Sequence, residues 1–375
     1  MTKSASLQRL SGLIRKESLQ IMRDPSSIAI AFILPIVLLF LFGYGVSLDA
    51  RDIPIGIVVE QPDAATQSLS GSFEQSDYFS PVYFQTIQQA EKSLEQSKIQ
   101  GIIWLKNDFA RHLLSHKQAV IAVRVNGVNS NQANLMLGYI QGTWLAWLTR
   151  FASVQGIKLD MAIQLEHRVW YNAAVSSRLF LVPGLVAIIM TLIGSLLTAL
   201  VVAREWDRGT MEALLVTPLH NHEFIAGKLI PYFVLGMTSL VVTVALAIGI
   251  FDVPFIGSFW LLILTGALFM LVSLAIGLLI SIASKNQFVA GQIAIVISFL
   301  PAFILSGFIF DINSMPLAIQ MITHIVPARY FVAILQTLFL AGDIWPVVIA
   351  NVAALLFLLI IFSLLVAKKT RKSLE

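Results

Sequence analysis

Three places in this sequence gather side chains that could do chemistry. His112 and His116 stand four apart in "HLLSH", so on a helix both rings face one side, as in zinc-binding pairs. The stretch lacks the glutamate that serves as general base in such helices, and no third ligand is evident, so no metal site is expected. "HNH" at 220–222 reads as loop rather than a ligand cluster, and "GKL" at 227–229 lacks the first glycine and the hydroxyl residue of a phosphate-binding loop. There is no nucleophile elbow, no paired-carboxylate motif and no dinucleotide fingerprint. Catalysis is not expected of this chain.

The third place is "VVAREWDRGTMEALLVTP", residues 201–218. Arg204, Glu205, Asp207, Arg208 and Glu212 crowd into nine residues directly after a long apolar run. Thr210 after Gly209 suits a helix N-cap, Met211, Leu214 and Leu215 make a short apolar face, and Thr217-Pro218 ends it. Such a helix lying along the membrane could insert its apolar face in a partner's cleft, with Glu205, Arg208 and Glu212 setting the register by charge pairing. A loop that only anchors two spans explains Arg204 and Arg208, but not three acidic residues and a compact apolar face.

The elements that must position this segment are membrane helices. Of 375 residues, 57% are hydrophobic and 12% charged, against roughly 25% charged in an average soluble domain; mean hydropathy is +0.82. Asp, Glu, Lys and Arg are absent from 25–48, 179–203, 229–251, 253–284, 286–310 and 344–367, each long enough to cross hydrocarbon, which takes about 20 helical residues. Six transmembrane helices are therefore expected, with no ionisable group inside them to couple an ion gradient. Segments 312–328 and 330–342, split by Arg329, are each too short to span and read as a re-entrant outer hairpin at 311–343. A single tilted seventh span would bury Arg329 at a cost of several kcal/mol. A backbone carbonyl, Asp311 or Asp343 is the expected partner of Arg329.

Basic residues fix the orientation. They concentrate in the N-terminal segment, in 204–228, at Lys285 and in the tail from Lys368 to Lys372, and are sparse in the opposite connections. Both termini are expected in the cytoplasm of a bacterial cell with the inner membrane as location, and the first span reads as a retained anchor. The resulting division is 1–26, an amphipathic interfacial helix; 27–48, span one; 49–177, an outer domain; 178–203, span two; 204–222, the charged cytoplasmic helix; 223–367, spans three to six; and 368–375, a basic tail. The outer domain alternates strands (53–59, 81–87, 101–105, 119–127, 163–172) with helices (88–98, 107–116, 129–151), a small α/β pattern. Residues 60–78 read as polar chain. Trp144, Trp147 and Phe151 share a helix face and are expected in that domain's core.

Three blocks carry a resemblance: "REWDRGTMEALLVTP", "IMRDPSSIAIAFILPIVLLFLFGYG" (21–45) and "FLPAFILSGFIFDINSMP…IVPARYFV" (299–332). Together they resemble the permease subunits of type-2 ATP-binding cassette (ABC) exporters, over nearly the whole chain. The large outer domain is similar to the multidrug-efflux subfamily. The resemblance implies two six-helix permeases, a second copy or a paralogue, each resting on a separate ABC ATPase that holds ATP-Mg. This chain would bind no cofactor. It further implies coupling positions at Glu205, Gly209, Thr210, Glu212, Leu215 and Pro218, flanked by Arg204 and Arg208, and an N-terminal helix packed beside the ATPase. A periplasmic adaptor is a candidate partner of the outer domain, the lipid bilayer is the solvent, and no nucleic acid is expected. An ion-coupled efflux protein and a non-transporting scaffold with a ligand-binding outer domain stay open on the residues alone.

Overall fold

A computed structural model of the protein describes residues 3–45, 52–115, 119–127, 130–155, 177–210 and 220–374. It divides into two compact units, 1–47 with 169–375, and 48–168.

In the first unit the chain begins with α1 (Lys3–Met22). Asp24 then caps the next helix, α2 (Pro25–Gly45), and Pro25 occupies its first position, where a missing N–H costs nothing. Proline at position 35 leaves the Ala31 carbonyl without its usual helical donor, and α2 relaxes into a π-turn over Ala29–Ile33. The Ser239 hydroxyl from a neighbouring helix donates to that carbonyl at 2.5 Å.

The second unit contains a four-stranded sheet in the order β2-β1-β3-β4. Strand β1 (Ile53–Val59) leads into α3 (Ala64–Glu74), β2 (Phe79–Phe84), α4 (Ile87–Glu95), β3 (Gly101–Leu105), α5 (Phe109–Leu114), β4 (Ala122–Val125) and α6 (Ser130–Gln155). β1 runs parallel to β2 and β3, and β4 is antiparallel to β3. Ile53, Ile55 and Ile57 pack with Leu69, Phe73, Met136 and Trp147 on one face, while Val58 and Ile102 pack with Ala90 and Ile99 on the other. Burial on both faces is why "IPIGIVV" is apolar throughout instead of alternating.

Helix α3 corrects the reading of 60–78 as polar chain. Asp63 accepts from the Thr66 amide while Thr66 returns its hydroxyl oxygen to the Asp63 amide, closing a capping box. Ala65, Leu69 and Phe73, four apart, form the buried stripe. Trp144, Trp147 and Phe151 of α6 stack in series at 5.2 and 4.9 Å, with Trp147 buried in the domain core. The strand read at 163–172 lies outside the described residues, as does His116. His112 faces Asp108 at 3.7 Å.

Back in the first unit, α7 (Ser177–Asp207) is followed by α8 (Asn221–Gly249), α9 (Phe259–Ser284), α10 (Gln287–Leu305), α11 (Leu317–Thr323), α12 (Pro327–Leu340) and α13 (Trp345–Leu374). Six of these helices, α2, α7, α8, α9, α10 and α13, are long and apolar enough to cross a membrane. Helix α7 is the axis of the bundle. In its most apolar stretch 89% of residues are buried, against 22% in α2 and α10 and 17% in α13. Gly194, Ser195 and Thr198 on α7 lie so close to Ser273 and Gly277 on α9 that a Cβ at Gly277 would meet Thr198 Oγ1 at 2.0 Å and the Ser195 carbonyl oxygen at 2.3 Å. Small residues four apart on both helices permit this approach. Helices α11 and α12 meet at 82°, so residues 317–341 are not one straight span. Arg329 at that bend donates to the Thr323 hydroxyl and to the Gln320 carbonyl at 3.5 Å. The carbonyl expected as its partner is present. Asp343 instead accepts from the Ser258 amide at 2.8 Å, and Asp311 from the Asn313 amide.

Candidate functional site

The last four residues of α7, Arg204-Glu205-Trp206-Asp207, each hold a different element. A helix advances about 100° per residue, so four consecutive side chains radiate to all sides. On a central helix each then meets a different neighbour.

Arg204 is buried, and its Nη2 lies 2.9 Å from Asp24 Oδ2 at the foot of α2. Asp24 also accepts from the Ser26 and Ser27 hydroxyls. Burial alone would raise its carboxyl, but the two serine hydroxyls and then the charge of Arg204 bring it down to about 2. Glu205 is buried as well. Its Oε1 accepts from Lys228 Nζ of α8 at 2.6 Å and from Lys16 Nζ of α1 at 3.1 Å. Trp206 lies beneath Lys285, the residue ending α9, with the ammonium 4.8 Å from a ring centroid. Asp207 Oδ2 accepts from the Gln287 amide at 2.7 Å and so meets the first residue of α10.

Lys228 is the second node. It is 1% exposed and donates to Glu17 at 2.5 Å as well as to Glu205. Glu17 is equally buried and sits between Leu13 and Ile21, which are also buried. The inward stripe of α1 is thus Leu13-Glu17-Ile21, and Leu13 presses on Gly227, where a Cβ would come within 2.3 Å of the leucine. Leu10 and Ile14 lie at its half-buried edge. At the other end of α1, Arg9 grips Glu223 with Nη2 at 3.0 Å and Nε at 3.3 Å, and the Ser6 hydroxyl adds a third donor. Glu223 itself accepts from the His220 amide at 3.1 Å, completing a capping box at the start of α8. "HNH" is therefore in part a helix cap.

Buried charge is costly unless paired and hydrogen-bonded. Here Lys228, Glu17, Glu205, Arg204 and Glu223 are all buried and all paired. A lattice of this kind fixes geometry rather than adding much net stability.

Beyond Asp207 the chain turns outward. Gly209 adopts φ +67°, the left-handed region, and its amide meets the Trp206 carbonyl at 3.1 Å, ending the helix. Arg208, Gly209 and Thr210 are exposed. The Thr210 hydroxyl donates to the Glu205 carboxylate, tying the outgoing chain to the node. Glu212, Leu215 and Pro218 lie outside the described residues. The eight positions read from the sequence thus divide: Arg204 and Glu205 face inward, Arg208 and Gly209 face out, and Thr210 bridges the two.

Sequence reasoning treated Lys228 as one more orienting cation and did not single out Glu17, Asp24 or Glu223. Two signals could have found them. Glu17 interrupts a Leu13–Ile21 stripe spaced by fours, and Lys228 stands at the very edge of a charge-free interval. Nothing among the described residues groups three or more His, Cys, Asp or Glu as metal ligands.

A bundle of six apolar helices, one of them buried at its centre, with ion pairs gathered at one helix end, defines a polytopic membrane protein. The chain belongs to the family of ABC-2 family transporter proteins, whose sequence profile matches residues 25–368. It is 42% identical to the probable multidrug ABC transporter permease YbhS of Escherichia coli (strain K12), over 99% of this chain and 98% of that protein. It is 28% identical to the probable multidrug ABC transporter permease YbhR of the same strain, over 91% and 94%. The inner membrane transport permease YhhJ of that strain is 27% identical over 78% and 79%. The expected kinship with ABC exporter permeases is therefore correct.

Proposed function

We propose that this chain is the membrane-spanning permease of an ATP-driven exporter that moves amphiphilic or hydrophobic compounds out across a bacterial inner membrane. Both termini are cytoplasmic, a separate ABC ATPase holds ATP-Mg, and a second permease copy or paralogue completes the path. The sheet-containing unit lies on the far side, where it docks an adaptor or extends the exit route. Helices α11 and α12 dip into the membrane and return, since neither alone is long enough to cross hydrocarbon.

One observation supports the coupling role above the others. The chain leaving α7 starts from a node whose four residues hold α1, α2, α8, α10 and the end of α9. A push on 208–219 would reach five elements through short, charge-assisted contacts. A conformational change needs such differential contact with the two states of a partner. Arg208 and Gly209, with Glu212, Leu215 and Pro218, meet the ATPase, while Arg204, Glu205 and Thr210 carry the displacement inward. The buried ionisable groups gather at this node and at the start of α8, which favours a mechanical linkage over an ion-coupled carrier.

The test is co-expression with a phosphate-loop ATPase of the same operon, purification of the complex and measurement of ATP hydrolysis and export in vesicles. The permease alone is expected to be inert. Arg208→Glu should reduce both activities while the thermal midpoint of the permease stays within a few degrees. Uphill export by the permease without any ATPase would refute the reading. Glu205 is a poor choice for this test, because its loss disturbs the lattice as well as the coupling.

A further inference from the structure

On the outer side of the same node, α1 and the end of α7 enclose a cleft of about 480 Å³ lined by Lys16, Leu19, Gln20, Arg23, Asp24, Arg204 and Arg208. Four of the seven are cations and one is an anion, a formal balance of +3 (four minus one). Two of the cations are already engaged, Arg204 with Asp24 and Lys16 with Glu205. Arg23 and Arg208 are exposed and have no ion-pair partner among the described residues. Arg204 is 5% exposed, and although its Nη2 is satisfied, its Nε is buried without any acceptor among the described residues. A buried guanidinium N–H with no partner carries a desolvation cost that an incoming acceptor would relieve.

The rim is apolar. Leu19 lines the cleft and is 44% exposed, and Met22, one helical turn on, is 73% exposed. A free phosphate or a soluble nucleotide has no use for that rim. An amphiphile with an anionic head does.

We propose that this cleft binds the phosphate of an acidic phospholipid of the cytoplasmic leaflet. The phosphate oxygens accept from Arg23, Arg208 and the unpartnered edge of Arg204, and the acyl chains run past Leu19 and Met22. Basic pockets between helices at a membrane surface suit anionic headgroups, each cation contributing about fivefold in affinity at low salt. The bound lipid then lies against α1 and the residues that leave α7, beside the start of the proposed coupling segment. The inference rests on the orientation proposed above only in naming the leaflet. Failure of ATPase co-purification would leave it standing.

The test uses the full chain, delipidated and placed in nanodiscs, with native mass spectrometry reading retained lipid. Three probes are compared: phosphatidylglycerol, phosphatidylethanolamine and inorganic phosphate. Wild type should retain phosphatidylglycerol over phosphatidylethanolamine, and millimolar inorganic phosphate should not displace it. The Arg23→Gln/Arg208→Gln pair should weaken that retention about 25- to 30-fold at low salt. Arg15→Gln, an exposed cation on the same helix outside the cleft, should retain lipid as wild type does. Should the pair fail to fold, Arg23→Glu alone carries the test, being exposed and outside the ion lattice. Equal retention by the variants, no preference for phosphatidylglycerol, or displacement by inorganic phosphate would each overturn the assignment.

Discussion

Replacing Lys228 with methionine keeps the length of the side chain and removes one ammonium. In the wild type that ammonium lies 2.5 Å from Glu17 and 2.6 Å from Glu205, with all three side chains at most 6% exposed. Without it two buried carboxylates face each other. Among the described residues the one cation left to them is Lys16, 3.1 Å from Glu205 and 4.0 Å from Glu17, itself 47% exposed and screened by water. Breaking a buried pair in this way costs about 3–5 kcal/mol. At about 2–4 °C per kcal/mol, the thermal midpoint should fall by about 6–20 °C. The assay is tryptophan fluorescence during thermal unfolding in detergent at neutral pH, for which Trp206 sits beside the node. Glu17→Gln/Lys228→Met removes one stranded charge and leaves Glu205 with Lys16, so it should be milder than Lys228→Met by about 1–3 kcal/mol. A Lys228→Met midpoint within about 2 °C of wild type, or a double variant less stable than the single, would refute the argument.

Gly277→Ala should destabilise by about 1–3 kcal/mol, because the new methyl meets the Ser195 carbonyl oxygen, which is backbone and cannot swing aside. Gly291→Ala, whose added Cβ meets only side-chain tips at 3.6 Å and beyond, should be neutral or slightly stabilising in the same unfolding assay. Gly209→Ala meets no neighbouring atom, so its cost, about 1 kcal/mol, comes from φ alone, and Gly209→Asn should recover part of it. Asp24 titrates lower folded than unfolded, so its contribution is complete above its ordinary value of 3.8 and is lost as pH falls toward about 2. The midpoint of Asp24→Asn should therefore lie below that of wild type at neutral pH, and the two should converge on acidification.

The spans were legible because charge is so rarely buried in lipid that its absence over twenty-odd residues has few other causes. Which span is central was not legible. The α7 sequence is apolar on all sides, but so are α9 and α13, and only packing separates a helix enclosed by protein from one facing lipid. The helix at 64–74 was hidden by Ser and Gly at four of its eleven positions, residues that favour turns when read singly. Its cap at Asp63 and the Leu69–Phe73 spacing outweigh them once the sheet offers a face to cover. The charged stretch at 204–212 was read as facing a partner because three acidic residues beside a compact apolar face are more than a loop anchoring two spans requires, yet Arg204 and Glu205 turn inward. Spacing along one helix shows where side chains point, not what arrives to meet them. Lys228 and Glu17 are 211 residues apart.

The clasp between Ser239 and the Ala31 carbonyl restricts how this protein can move. In water a carbonyl that loses its donor finds another at once. In hydrocarbon it finds none, and the vacancy costs several kcal/mol. Prying the first crossing away from the third would incur that cost, so the two should ride as one rigid plank through any cycle of opening and closing. Whatever gate this protein possesses must then swing at a different seam.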